Sequence, residues 1–103
     1  MDRILKLQQL MENGEADSFV RHALALEYIK AGNDEKATEL FSALLKDEPS
    51  YLGSYYHLGK ALERLGRSDE AIEAFRKGMD LATANGDSRT LNELRAACED
   101  AEV

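Results

Sequence analysis

Residues 55–75 read YYHLGKALERLGRSDEAIEAF, and 34 residues earlier, residues 21–41 read RHALALEYIKAGNDEKATELF. Each stretch sets apolar residues at helical spacing on both sides of a glycine, Gly66 in one and Gly32 in the other. Each resumes after the glycine with a residue suited to capping a new helix, Ser68 and Asp34 respectively. The shift lays Leu24 on Leu58, Ala25 on Gly59, Tyr28 on Leu62, Gly32 on Gly66, Glu35 on Asp69, Ala37 on Ala71, Glu39 on Glu73 and Phe41 on Phe75. Self-similarity at this period marks a helical repeat array, in which each helix pair buries its apolar face against the next.

Working outward, the chain divides into six helical segments. Residues 2–12 carry Ile4, Leu7 and Leu10 or Met11 on one stripe and stop at Asn13-Gly14, a pair that tolerates the left-handed conformation of a helix end. Asp17 or Ser18 caps a second helix, Phe19–Lys30, which is apolar around much of its circumference and is expected to be covered on two sides. A third helix, capped by Asp34, presents Ala37, Leu40, Phe41, Leu44 and Leu45 and ends before Pro49. A fourth begins at Ser50 or a neighbour. The fifth, after Ser68, is expected to run on through Leu81–Ala84 to the turn signal Asn85-Gly86. From Ser88, Leu91, Leu94, Cys98 and Ala101 form one apolar edge with a polar back, the pattern of a capping helix.

Composition bounds the class. With 103 residues there is room for one domain, and 44% hydrophobic content with a single proline describes a folded, helix-compatible chain. Twenty acidic against thirteen basic residues give a net charge of −7, with the cations scattered among acids, which opposes nucleic-acid binding. Cys98 is the only cysteine, so neither an intramolecular disulfide nor a cysteine-based zinc site is expected, and a reducing compartment is. The N-terminal segment is amphipathic, without the continuous apolar run of a signal peptide, and no stretch is apolar enough to cross a bilayer. The expected location is the cytoplasm.

The period and residue types resemble the tetratricopeptide repeat, with its large aromatic, Leu-Gly pair, second aromatic, Ala, Phe and Pro. Tyr55, Leu58-Gly59, Ala71 and Phe75 keep family spacing in one copy, and Leu24, Tyr28, Ala37, Phe41 and Pro49 in the other. The resemblance implies an all-α, right-handed antiparallel helix-turn-helix array. Within it, residues 1–14 form a half-repeat helix, 18–51 and 52–85 two repeats, and 88–101 a cap. It further implies a protein- or peptide-binding scaffold rather than an enzyme. Its concave groove would be lined by Phe19, His22, Leu26, Ile29 and Lys30 from one repeat and Gly53, Tyr56, Lys60, Glu63 and Arg64 from the other. The carboxylate clamp of chaperone-binding family members is not expected, because its slots hold His22, Leu26 and Lys60 and no third repeat follows.

Other chemistry is weakly represented. His22 and His57 are the only general-base candidates at neutral pH; their repeat positions differ by one and neither has a nucleophile at motif spacing. Gly59-Lys60 is followed by Ala61 where a phosphate-binding loop needs Ser or Thr, and the acidic pairs lack the alternation of a calcium loop. No cofactor or metal is expected. Self-assembly through exposed end helices, giving a weak homo-oligomer, is the alternative to partner binding; a small enzyme and an RNA-binding helical repeat rank lower.

Close packing at the small repeat positions yields a first prediction. Ala71→Leu overpacks the helix pair and lowers stability by about 1–3 kcal/mol. Thermal unfolding followed by circular dichroism reads it, and an unchanged midpoint contradicts the repeat register.

Overall fold

A computed structural model describes residues 2–103; Met1, which opens the expected half-repeat, lies outside the described residues. Six helices follow in order: α1 (Arg3–Glu12), α2 (Ser18–Lys30), α3 (Asp34–Asp47), α4 (Gly53–Arg64), α5 (Ser68–Asn85) and α6 (Ser88–Glu102). The fold is the expected all-α repeat array, and α5 does run on to Asn85. The cap helix ends one residue beyond the expected 88–101.

The two repeat turns are built alike. Gly32 and Gly66 adopt left-handed φ values of 79° and 78°. After them, the Asn33 amide donates to the Tyr28 carbonyl at 2.8 Å and the Arg67 amide to the Leu62 carbonyl at 2.9 Å. These bonds satisfy carbonyls that the helix ends leave open. They also leave so short a connection that the next helix starts one residue earlier than the capping pattern implies. Asn33, not Asp34, is the cap of α3, its Oδ1 accepting from the Lys36 amide at 3.1 Å, and Asp34 is the first helical residue. In α5 the cap position falls on Arg67, which offers no oxygen, and Ser68 is likewise inside the helix. Arg67 instead forms a two-bond pair with Glu70, at 2.7 and 2.9 Å. The fourth helix begins at Gly53 rather than near Ser50, with Leu52 at its cap and no side-chain capping bond.

Consecutive helices pack antiparallel along the chain, and a second set of contacts orders them into two rows. The backbones of α2 and α4, and of α4 and α6, approach closely, whereas those of α1, α3 and α5 stay apart from one another. A curved stack compresses its inside and splays its outside, so α2, α4 and α6 form the concave row. The main core lies between the rows around Phe41 and Phe75, both fully buried, each such ring contributing roughly 1.5–3 kcal/mol through removal from water. A smaller cluster seats Leu7 of α1 against Ala23 and Leu24 of α2, with Tyr28 and Leu40 reaching into it. At the other end Leu94, Ala97 and Cys98 of α6 close the core, and Arg76 holds Glu102 at 2.7 Å.

Two glycines inside helices set how near the helices come. An ideal Cβ on Gly59 would stand 2.3 Å from Phe75 Cε1, and one on Gly78 would stand 2.8 Å from Tyr55 Cβ and 2.9 Å from Leu94 Cδ1. Gly59→Ala is therefore expected to destabilise by about 1–3 kcal/mol through overpacking, less up to about 1 kcal/mol returned by the better helix former. Gly53→Ala, whose Cβ would meet only His22 Cε1 at 4.0 Å, gains at most about 1 kcal/mol. Opposite signs in chemical denaturation are the expected result; equal effects contradict the close-approach account.

Candidate functional site: the concave row

The expected groove residues of α2 fall on one helical face, since His22, Leu26 and Ile29 follow one another by four and three positions. Leu26 and Ile29 are half-buried against the main core, so each keeps an apolar edge open. Phe19, one turn earlier, is 67% exposed, and Lys30 is exposed and reaches back to Glu27 at 3.2 Å. Neither terminal helix covers this face: α1 packs on α2 through Ala23 and Leu24.

In α4 the corresponding face carries Tyr56, Lys60 and Glu63. Tyr56 is half-buried, its ring 6.4 Å from Phe75. Lys60 stands 3.4 Å from Glu63, whose Oε1 is enclosed without a hydrogen bond. Arg64 is differently employed. Its Nε and Nη2 donate to the two oxygens of Asp34 at 3.0 and 2.9 Å, tying the end of α4 to the start of α3. That bidentate bond with Asp34 raises the Arg64 pKa above its ordinary value. The structure thus brings Leu26, Ile29, Tyr56, Lys60 and Glu63 to the concave row and gives Arg64 a fastening role.

His22 sits at the seam of three helices. Its Nδ1 lies 2.7 Å from the Ser54 hydroxyl, and its ring centroid lies 5.5 Å from Phe41, 5.4 Å from Tyr51 and 5.6 Å from His57. His57 in turn stacks with Phe41 at 6.2 Å and 12°. The different repeat positions of the two histidines therefore do not separate them: facing helices bring the rings edge to face. Ser54, fully buried, escaped the sequence reading because an isolated serine near a helix start reads as a cap. Its signal was the apolar company of Tyr51, Leu52 and Tyr55 on either side.

Away from the concave row, a cleft of about 600 Å³ opens between α3 and α5, floored by Tyr55, Leu58 and Leu62 and edged by Lys46, Glu70 and Lys77. It is the space left where the outer helices splay. The Tyr55 hydroxyl is not free to serve it, since it donates to the Pro49 carbonyl at 2.6 Å. Burial pushes the Tyr55 phenol and the Cys98 thiol above their ordinary pKa values, as suits packing residues. Among the described residues, no group of three or more His, Cys, Asp or Glu side chains is placed to hold a metal ion, and no helix is long and apolar enough to cross a membrane.

Comparison with known proteins agrees with this architecture. The tetratricopeptide repeat family profile matches residues 22–85. A TPR repeat-containing protein of Pseudomonas aeruginosa is 27% identical over 88 residues, covering 85% of this chain and 84% of its own length. Among solved structures, a tetratricopeptide repeat domain protein from Salinibacter ruber is 44% identical and superposes with a TM-score of 0.80, over 84% of this chain and 97% of its own. A protein of Bordetella parapertussis, at 22% identity, shares the fold with a TM-score of 0.86 over 99% of this chain and 89% of its own.

The two polar fastenings of this region differ in burial, and their removal is expected to rank accordingly. Ser54→Ala strips the half-buried His22 ring of its partner and costs about 1–3 kcal/mol. Arg64→Lys keeps the charge but loses the fork at a site open to solvent, and costs less than about 1 kcal/mol. Urea unfolding of both variants measures the order, and a larger loss at Arg64 overturns it.

Proposed function

Because the chain belongs to the tetratricopeptide repeat family, whose members are generally protein-binding scaffolds, we propose that it binds a peptide segment of another protein along the α2–α4 concave face. The observation that carries this reading is the pairing, on one face, of half-covered apolar side chains with charge. Leu26, Ile29 and Tyr56 offer apolar edges, while Lys60 and Glu63 stand beside them as a weakly coupled pair 3.4 Å apart. A peptide with one or two large apolar anchors suits such a surface, its polar groups oriented by Lys60 and Glu63. The remaining expected groove residues, Phe19, His22, Lys30, Gly53 and Arg64, flank this centre. Catalysis has no part in the proposal: the one hydroxyl beside a histidine, Ser54 at 2.7 Å from His22, is fully buried and serves packing.

Leu5 and Phe19, exposed large apolar residues on the two N-terminal helices, favour a second reading, weak self-association through that end. Sedimentation at several concentrations separates the two: a single monomeric species removes self-association and leaves the groove proposal standing.

Crosslinking in cell extract followed by mass spectrometry identifies the partner and the peptide contacted. With that peptide in hand, Tyr56→Ala combined with Lys60→Glu is expected to weaken binding at least about tenfold, as removal of a central anchor and reversal of a charge commonly does. The cooperative thermal transition is expected to persist. Unaltered affinity in a folded double variant places the site elsewhere on the molecule.

A further inference from the structure

His22 and His57 are the only histidines in the sequence, and they meet where α2 touches α4 in the concave row. Around them α3 contributes Phe41, and the α4 segment contributes Tyr51, Ser54 and Tyr56. The charged groups nearby are already engaged: Arg21 of α2 with Asp47 of α3 at 3.0 Å, and Arg64 of α4 with Asp34 of α3 at 2.9 Å. No carboxylate is hydrogen-bonded or ion-paired to either ring among the described residues. The seam therefore suits neutral imidazoles: a protonated one finds the Ser54 hydroxyl and aromatic rings but no carboxylate to offset the hydration it gives up.

We propose that the His22–His57 contact is an acid-sensitive latch whose protonation separates α2 from α4 and opens the concave face that the two helices line. An imidazolium created in this seam faces a second imidazole at 5.6 Å and aromatic rings on its other sides, in surroundings half closed to water. The charge is relieved by moving the ring out to solvent, and that movement gives up the ring contacts with Phe41 and the bond to Ser54. Consistent with this, both histidines have pKa values below the ordinary one. For His22 the cause is burial and then His57; for His57 it is burial and then Arg64. The unfolded chain consequently binds protons more readily than the folded one. The latch's stabilisation is complete above about pH 6.5, where free histidine titrates, and is lost as the pH falls through the lower folded-state values. The latch belongs to the seam and is read without any ligand, whereas any effect on partner binding rests on the concave-face reading.

Two measurements on the intact chain test it. In wild-type protein, NMR titration of the imidazole nitrogens is expected to give both rings midpoints below about 6.5, with cross-peaks of α2 and α4 moving together with them. In parallel, the melting temperature is expected to fall between pH 7.5 and pH 5. His22→Asn, which preserves a partner for Ser54, combined with His57→Phe, which preserves the ring, is expected to lose at least half of that fall. Overturning results are a midpoint at or above the free value for both rings, or an acid-dependent fall of undiminished size in the double variant. Should the variant not fold, the wild-type titration decides alone. Failure of the peptide-binding proposal would leave these two readouts untouched.

Discussion

The contact between Gly59 and Phe75 sets the spacing on which the second repeat depends. With no Cβ at position 59, the α4 backbone lies directly over the Phe75 ring, at a distance where any side chain would intrude to 2.3 Å. The equivalent positions in the first repeat hold Ala25 and Phe41, both fully buried in the same core cluster. A small residue and a large ring thus alternate across each helix pair, giving a dense core from few residues. Gly78 repeats the device one helix further on, where α5 passes between Tyr55 and Leu94.

Because each pair is so tightly joined internally, the angle between successive pairs shapes the surface. The row α2, α4 and α6 is continuous, and the outer helices stand apart over the cleft floored by Tyr55, Leu58 and Leu62. Polar fastenings act at the edges. Arg64 with Asp34 and the Tyr55 hydroxyl with the Pro49 carbonyl join one pair to the next, and Arg21 with Asp47 joins α2 to α3 within a pair. The terminal helices cover apolar flanks of their neighbours, α1 through Leu7 on α2 and α6 through Leu94, Ala97 and Cys98 against the main core.

The concave row carries two kinds of residue. Leu26, Ile29 and Tyr56 are partly covered and Lys60 and Glu63 only loosely coupled, so this part of the face has interactions to spare. His22, Ser54 and Arg64 have committed partners and hold the helices in place. Sequence position alone groups these residues together, because helical spacing reports which face a side chain shares and not what stands opposite it. The His22–His57 contact illustrates the limit: the two residues lie one step apart in repeat register, yet a neighbouring helix inclined across the first brings their rings to 5.6 Å.

The repeat period, the helix count and the packing residues of the repeat pattern, among them Leu24, Ala37, Phe41, Ala71 and Phe75, were legible in the sequence. Each rests on local periodicity, and on glycine and proline stops whose conformational preferences act within a few residues. The same local rules misplaced two caps by one position, since Asn33 and Arg67 are set by hydrogen bonds reaching back across the glycine to Tyr28 and Leu62. Only the tertiary structure decided that Gly78 is a contact point, that Ser54 is buried beneath His22, and that Arg64 is a fastener. These facts depend on which atoms of distant segments come within bonding or van der Waals range. That is fixed by the angle at which packed helices cross, a quantity carried by no single stretch of the chain.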